Sequence, residues 1–462
     1  MWKKAARAEA AANNVKINRL RYSSELPAST HEVYAWHVRE GALQRLLPPW
    51  KKVELLFSPG NPSQEGSRVG LKFHVGIFPI HWILQHTHCV PEKEFTDIQI
   101  QGPFRAYTHC HYFLPIDWKS CELVDELAFS FPFFKEKIKD ELIRYLSWRH
   151  ALLQADLADL TRYPKKKMRI LLTGSTGLIG SHLKLYLRLM GHEVISLVRN
   201  REKQGHDALY WDLEEPPPQE LEGIDGLIHL AGANIADKRW TKAQKQRLRE
   251  SRCLYSEKLC QALCRLKNPP RTVIAASAIG YYGNRGNEEL TEKSSAGKGF
   301  LADLCVHWED TLKGLSEKGS RVAFARLGPV LSAKGGMLKK MLPAFQWGLG
   351  GRLGSGKQWI SWIGIDDVLS AFYHILQTDS LSGPINLVAP APVMQKEFAH
   401  VLAHKLHRPS SCPLPAWLLK AGLGEMADEM LLSSAKVAPE KLLKSGFSFR
   451  YPDLQTALHY VS

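Results

Sequence analysis

Glycines 174, 177 and 180 fall in the run Thr173-Gly174-Ser175-Thr176-Gly177-Leu178-Ile179-Gly180, between a short apolar stretch and an amphipathic one. In a strand-to-helix turn the first glycine permits the tight bend. The second lets the backbone approach a pyrophosphate with no Cβ in the way, and the third lets helix and strand pack closely. The helix that follows presents free N–H groups and its positive dipole end to phosphate. Gly174, Ser175, Thr176, Gly177, Leu178, Ile179 and Gly180 therefore read as a phosphate-binding loop. The next strand ends in Val198-Arg199-Asn200-Arg201. It has no carboxylate for a ribose 2′-hydroxyl, and Arg199 stands where a 2′-phosphate would lie, so the cofactor favoured is NADP(H). Asp212 is placed to meet the adenine amino group, and Leu230, Ala231 and Gly232 end a strand that runs close to the cofactor.

Positioning these groups requires alternating strands and helices. Met168–Thr173, Glu193–Val198, Gly226–Ala231 and Thr272–Ala276 read as strands, Leu178–Met190 as a helix, and the alternation implies a parallel, doubly wound sheet. Upstream the grammar differs. Ile17–Ser24, Val53–Phe57, Arg68–Val75, Ile80–Thr87, Glu94–Ile100, Tyr107–Pro115 and Cys121–Phe129 read as strands, punctuated by turns such as Pro59-Gly60-Asn61-Pro62. A helix begins at Phe133 and runs to Trp148, its mixed charged face expected to meet solvent. The organisation expected is a flexible tail over 1–14, a strand-rich domain over 15–150, a linker over 151–167 containing Pro164 and Lys165, and a Rossmann domain over 168–462.

Bulk properties narrow the function. Of 462 residues, 44% are apolar and 23% charged, a globular composition. The net charge of +15 is spread over both parts of the chain and its densest run is Lys165-Lys166-Lys167, which argues against a nucleic-acid module. Eight cysteines without a CxxC pair do not suggest a disulfide framework. The N-terminus lacks the apolar core of a secretory signal, and no stretch reaches membrane-spanning length, so a cytoplasmic setting is expected.

Matches beyond the glycine loop carry a family resemblance. His229-Leu230-Ala231-Gly232-Ala233-Asn234-Ile235, Arg239-Trp240-Thr241, Ser277-Ala278-Ile279-Gly280-Tyr281-Tyr282-Gly283 and the tail Leu423–Ser434 resemble the epimerase-like, YfcH-type branch of the extended short-chain dehydrogenase/reductases. The likeness spans about 168–461, with a branch-specific segment over 410–458. It implies NADP(H)-dependent oxidoreductase or sugar-nucleotide-epimerase-like chemistry on a small-molecule substrate. Such chemistry uses a Ser or Thr to polarise a carbonyl, a Tyr as proton donor and a Lys four residues on. Ser277 falls at the first position. The helix that should carry Tyr-x-x-x-Lys has Phe300 or Leu301, then Leu304 or Cys305. Tyr282, with Tyr281 beside it, remains as the candidate phenol or as aromatic lining. The alternative is a catalytically inactive NADP(H)-binding sensor. Lys357, Gln358 and Trp359 suggest a substrate wall or a surface loop.

The front end, Val15–Leu146, resembles the START-like, polyketide-cyclase-like helix-grip superfamily through Asp97–Phe104, His109–Phe113 and Leu123–Leu127. That resemblance implies an α+β domain enclosing an apolar ligand. His86 and His88, and His109 and His111, share strand faces by alternation and are of ligand type. They are read as half-buried polar groups, with no metal assigned.

Overall fold

The computed structural model describes residues 16–58, 64–76, 78–131, 135–164 and 166–459. The tail over 1–14, the turn Pro59-Gly60-Asn61-Pro62, and the start expected for the helix at Phe133-Phe134 lie outside the described residues. The chain divides into two compact units, residues 1–166 with 188–191 and residues 167–187 with 192–462.

The first unit is a seven-stranded antiparallel sheet. Its strands are β1 (Asn18–Leu26), β2 (Glu54–Phe57), β3 (Arg68–Val75), β4 (Phe78–Val90), β5 (Glu94–Gln101), β6 (Ala106–Pro115) and β7 (Cys121–Ser130), in the order β1-β7-β6-β5-β4-β3-β2. Helix α1 (Thr30–Val38) opens with a capping box between Ser29 and Glu32. The long helix α2 (Lys135–Arg162) lays Ile138, Leu142, Tyr145 and Leu146 against Trp82, Leu84, Tyr107, Leu127 and Phe129 of the sheet.

Two expectations are corrected here. The helix ends 14 residues past Trp148, so most of the expected linker is helical. Leu152, Leu153, Leu157 and Leu160 continue its buried stripe, and Pro164 follows its end. His86 and His88 do not share a face. A register shift separates them, leaving the His86 side chain 12% exposed and that of His88 48% exposed.

The second unit is a seven-stranded parallel sheet, the Rossmann-like architecture. In chain order its strands are β8 (Arg169–Thr173), β9 (Glu193–Val198), β10 (Ala208–Tyr210), β11 (Gly226–His229), β12 (Thr272–Ala278), β13 (Arg321–Leu327) and β14 (Gly383–Leu387). Their spatial order is β10-β9-β8-β11-β12-β13-β14. Chain order reverses at β8, so the crevice between β8 and β11 is the switch point where ligands bind in such sheets. The strands read as nearly unbroken apolar runs because helices cover both faces. Those helices are α3 (Leu178–Leu189), α4 (Lys242–Arg249), α5 (Tyr255–Leu263), α6 (Phe300–Asp310) and α7 (Ile365–Gln377), with a π-helical turn, Glu250–Leu254, joining α4 to α5. Among the described residues, no helix is long and apolar enough to cross a membrane.

Candidate active site

Strand β8 delivers the glycine loop into the switch-point crevice. Gly174 has φ 70°, and a Cβ there would stand 2.7 Å from the Leu230 carbonyl carbon. A Cβ at Gly180 would collide with the Gly174 carbonyl. At Gly177 the nearest atom to a Cβ is the Gly174 carbonyl oxygen at 3.4 Å, and the space is otherwise open. Two glycines are thus required by the protein itself, and the third leaves room for something else. Ser175 is half-buried and Thr176 exposed, while Leu178 and Ile179 begin α3. The turn is fastened by Gly177 N donating to Gly174 O at 3.0 Å and Ser181 N to Gly177 O at 3.0 Å. Across the crevice, the N–H groups of Leu230 and Ala231 donate to Thr173 Oγ1, each at 3.1 Å. Gly232 lies exposed just beyond them.

Arg199, exposed at the end of β9, joins Arg247, Ser251, Tyr255 and Lys258 around a cavity of about 360 Å³. Arg247 and Lys258 were not singled out from the sequence. Their spacing through Ser251 and Tyr255, in steps of three or four, is the signal that places them on one side of the α4–α5 segment. Lys258 Nζ also donates to Glu214 Oε1 at 2.5 Å. Asp212 is exposed and its carboxylate accepts from Glu214 N at 3.1 Å, fastening its own turn.

At the end of β12, Ser277 is 3% exposed and its hydroxyl donates to Glu309 Oε1 at 2.7 Å. Glu309 also takes a bidentate pair from Arg326, Nε at 2.8 Å and Nη2 at 2.7 Å. Arg326 Nη1 donates to the Tyr282 hydroxyl at 3.1 Å, which donates to Asn386 Oδ1 at 2.7 Å. Burial opposes the charge on Arg326, but its hydrogen bonds to Glu309 outweigh this and raise its pKa above the ordinary value.

Tyr282 therefore does not face the cofactor crevice, as the sequence suggested it could. It is 0% exposed and packs with Leu290, Val388 and Val437, and burial pushes its phenol up. Tyr281 is the half-buried phenol of this loop, its ring stacked 3.4 Å from the Arg326 guanidinium carbon. Glu309, Arg326 and Asn386 are not among the site residues expected from the sequence, although Glu309 follows Leu301 and Cys305 at steps of four along α6.

The helix that lacks the Tyr/Lys pair is held differently. Leu301 packs against Gly280, where an added Cβ would come within 3.1 Å of it, and Cys305 Sγ contacts the Ala278 carbonyl at 3.7 Å. Phe300 turns away to pack edge-on against Trp240, centroids 5.1 Å apart. Glu429, from the C-terminal segment, accepts the Phe300 and Leu301 N–H groups, each at 2.8 Å, and so caps α6. Of the expected substrate wall, Lys357 is exposed. Gln358 is buried, donating to Leu353 O at 3.1 Å and Leu431 O at 2.9 Å, and Trp359 Nε1 donates to Asn287 at 2.9 Å.

Comparison with known proteins places this arrangement. Residues 170–387 match the NAD dependent epimerase/dehydratase family, and residues 414–461 match a domain of unknown function, DUF1731. An epimerase family protein of Mycobacterium tuberculosis is 42% identical over 295 residues, 63% of this chain and 97% of that protein. The crystal structure of a nucleoside-diphosphate sugar epimerase from Corynebacterium glutamicum is similar over 96% of this chain and 90% of its own, at 30% identity and a TM-score of 0.79. That of human epimerase family protein SDR39U1 with NADPH is similar over 64% of this chain and 99% of its own, at 32% identity and a TM-score of 0.60. With its loop, sheet and C-terminal segment all accounted for by these relatives, the chain belongs to the NAD dependent epimerase/dehydratase family.

Proposed function

We propose that the chain is an NADP(H)-dependent oxidoreductase of the extended short-chain type acting on a small-molecule carbonyl or alcohol. The observations that carry this reading are the cavity lined by Arg199, Arg247 and Lys258 beyond the end of β9, and a glycine loop of whose three glycines Gly177 alone faces open space. The donor set suits a dinucleotide with one extra phosphate: loop amides for the pyrophosphate and cationic side chains for the 2′-phosphate. The human relative crystallised with NADPH supports the same choice.

When bound, NADP(H) supplies hydride exchange at its nicotinamide. The protein's part is binding, orientation and a proton. Ser175 and Thr176 lie in the loop that receives the phosphates, Asp212 lies on the adenosine side, and Leu230, Ala231 and Gly232 border the crevice. Ser277 anchors the β12 end to Glu309, and Glu309 fixes Arg326. Tyr281, the half-buried phenol of the same loop with Arg326 held over its ring, is the group that holds and yields the proton. Tyr282 is a positioning residue for Arg326.

The N-terminal unit is a START-like ligand-binding module in this reading, supported by its antiparallel sheet and the long helix across one face. A second reading, a cofactor-binding protein without turnover, is favoured by the committed hydroxyl of Ser277 and the absent Tyr/Lys pair. Titration with NADPH and NADH, in wild type and Arg199→Ala, tests the cofactor site. A selective loss of NADPH affinity in the variant is expected, and equal loss of both nucleotides would overturn the assignment. Substrate-dependent NADPH oxidation that disappears in Tyr281→Phe separates enzyme from sensor.

A further inference from the structure

The antiparallel sheet gathers chemistry unused by the dinucleotide site. Strand pairing sets His86 opposite Asp97, Asp97 opposite His109, and His111 opposite Asp125. The side chains of His109, His111 and Asp125 are 7%, 2% and 0% exposed, and that of Asp97 13%. Ionisable groups at this depth stay only if something satisfies them.

Their hydrogen bonds satisfy them in part, and the pattern of what is left over is informative. His111 Nδ1 contacts Asp125 Oδ1 at 2.5 Å, so Nδ1 carries a proton towards that carboxylate and Nε2 is turned to the opposite side of the ring. That Nε2 stands 3.5 Å from Asp97 Oδ2. His109 Nδ1 is 3.5 Å from the Tyr107 hydroxyl, while its Nε2 makes no hydrogen bond despite deep burial, with Asp125 Oδ1 3.3 Å away. Asp97 Oδ1 and His86 Nδ1 touch as an ion pair but also lack hydrogen-bond geometry. One ligand atom from each of Asp97, His109 and His111 lies within 4.8 Å of the others. Two ligand atoms each about 2.0–2.1 Å from one tetrahedral ion stand roughly 3.3 Å apart, close to the His111–Asp97 separation.

We infer that Asp97, His109 and His111 form a binding site for a divalent first-row transition cation, with Asp125 orienting His111. Two imidazoles and one carboxylate form a ligand set suited to such ions, and a carboxylate behind a ligating histidine is their usual support. His86 stands on the neighbouring strand, in contact with the same Asp97.

Arg149 Nη1 lies 3.5 Å from Asp125 Oδ2, so the carboxylate that orients His111 has a cation of its own beside it. His150, 3.0 Å from Asp125 Oδ2, and Ser24, 2.7 Å from His150, close the far side. From the sequence these histidines read as half-buried polar groups with no metal assigned, since strand alternation shows which side chains share a face but not which strands bring them together.

The test uses the full chain, stripped with a chelator and titrated with Zn²⁺ and Co²⁺. One tightly bound equivalent per chain is expected, with a visible ligand-field band for Co²⁺ and a higher melting temperature for the loaded protein. His109→Ala, His111→Ala and Asp97→Asn should each abolish stoichiometric binding. Asp125→Asn should weaken it about 10–100-fold, and His88→Ala should leave it unchanged. Circular dichroism checks that each variant is folded. Should the ligand variants unfold, the wild-type and His88→Ala titrations still decide. Failure of the wild type to bind one equivalent overturns the site, as does Co²⁺ binding that is weak and lost in His88→Ala.

Discussion

Thr173 Oγ1 lies 2.7 Å from His229 Nδ1, tying the end of β8, where the glycine loop begins, to the end of β11. The direction of that bond follows from its surroundings. Thr173 Oγ1 already accepts from the Leu230 and Ala231 amides, so its own proton goes to Nδ1. Nε2–H then donates to Ser256 Oγ at 2.8 Å, and Ser256 donates to the Arg252 carbonyl. This chain requires a neutral ring.

Burial lowers the pKa of His229 from 6.5 to about 4. The unfolded chain therefore takes up a proton that the folded chain refuses. The contribution of His229 is complete above pH 6.5 and is lost as pH falls towards 4, to a total of about 3 kcal/mol. Urea unfolding at pH 7 and pH 4.5 should show a smaller loss of stability in His229→Asn than in wild type. An equal loss in both would refute the coupling.

The loop glycines separate stability from binding. Gly180→Ala puts a Cβ into the Gly174 carbonyl, a backbone group that cannot move aside, and should destabilise the protein by about 1–3 kcal/mol. Gly177→Ala meets only an ordinary contact and should change stability by less than about 1 kcal/mol. It should nevertheless weaken NADPH binding at least tenfold, because the methyl group points where the phosphates approach. Thermal denaturation and nucleotide fluorescence titration, run on the same two variants, read both effects.

The parallel sheet, its glycine loop and the β9 arginine were legible in the sequence because each rests on local spacing: an apolar run, three glycines, a strand end. The network around Ser277 was not. Glu309, Arg326 and Asn386 come from a helix and two strands far apart in sequence, and only the sheet order β12-β13-β14 brings them together. Tyr281 and Tyr282 show the same limit, since adjacent residues differ wholly in burial once the loop takes its 3₁₀ turn at Ile279–Tyr282. In the first unit, the extent of α2 could have been read from Leu153, Leu157 and Leu160, whereas the bulge that parts His86 from His88 left no mark in the residue types.

The cap on α6 gives the C-terminal segment a measurable role. Glu429 accepts two N–H groups at the first turn of α6, and Gly299 before it has φ 116° and would crowd that carboxylate if it carried a Cβ. Glu429→Ala should cost about 1–2 kcal/mol of stability. Hydrogen exchange should localise the loss to the amides of Phe300 and Leu301. Exchange unchanged at these two amides would mean that the segment is held to α6 by its apolar contacts alone.

The two tyrosines of the β12 loop should respond in opposite ways. Tyr282→Phe removes a buried hydroxyl that serves both Arg326 and Asn386, leaving each short of a partner. A loss of about 1–3 kcal/mol is expected, read as a lower urea midpoint. Tyr281→Phe removes a phenol that makes no hydrogen bond among the described residues and keeps the ring over which Arg326 stacks. Stability should change by less than about 0.5 kcal/mol. If Tyr281 yields the proton, turnover should fall about 10²–10⁴-fold with NADPH affinity intact, the size expected when a general acid is lost. Retained turnover in Tyr281→Phe alongside a dead Tyr282→Phe would reverse the two roles, and would require the loop to open when substrate binds.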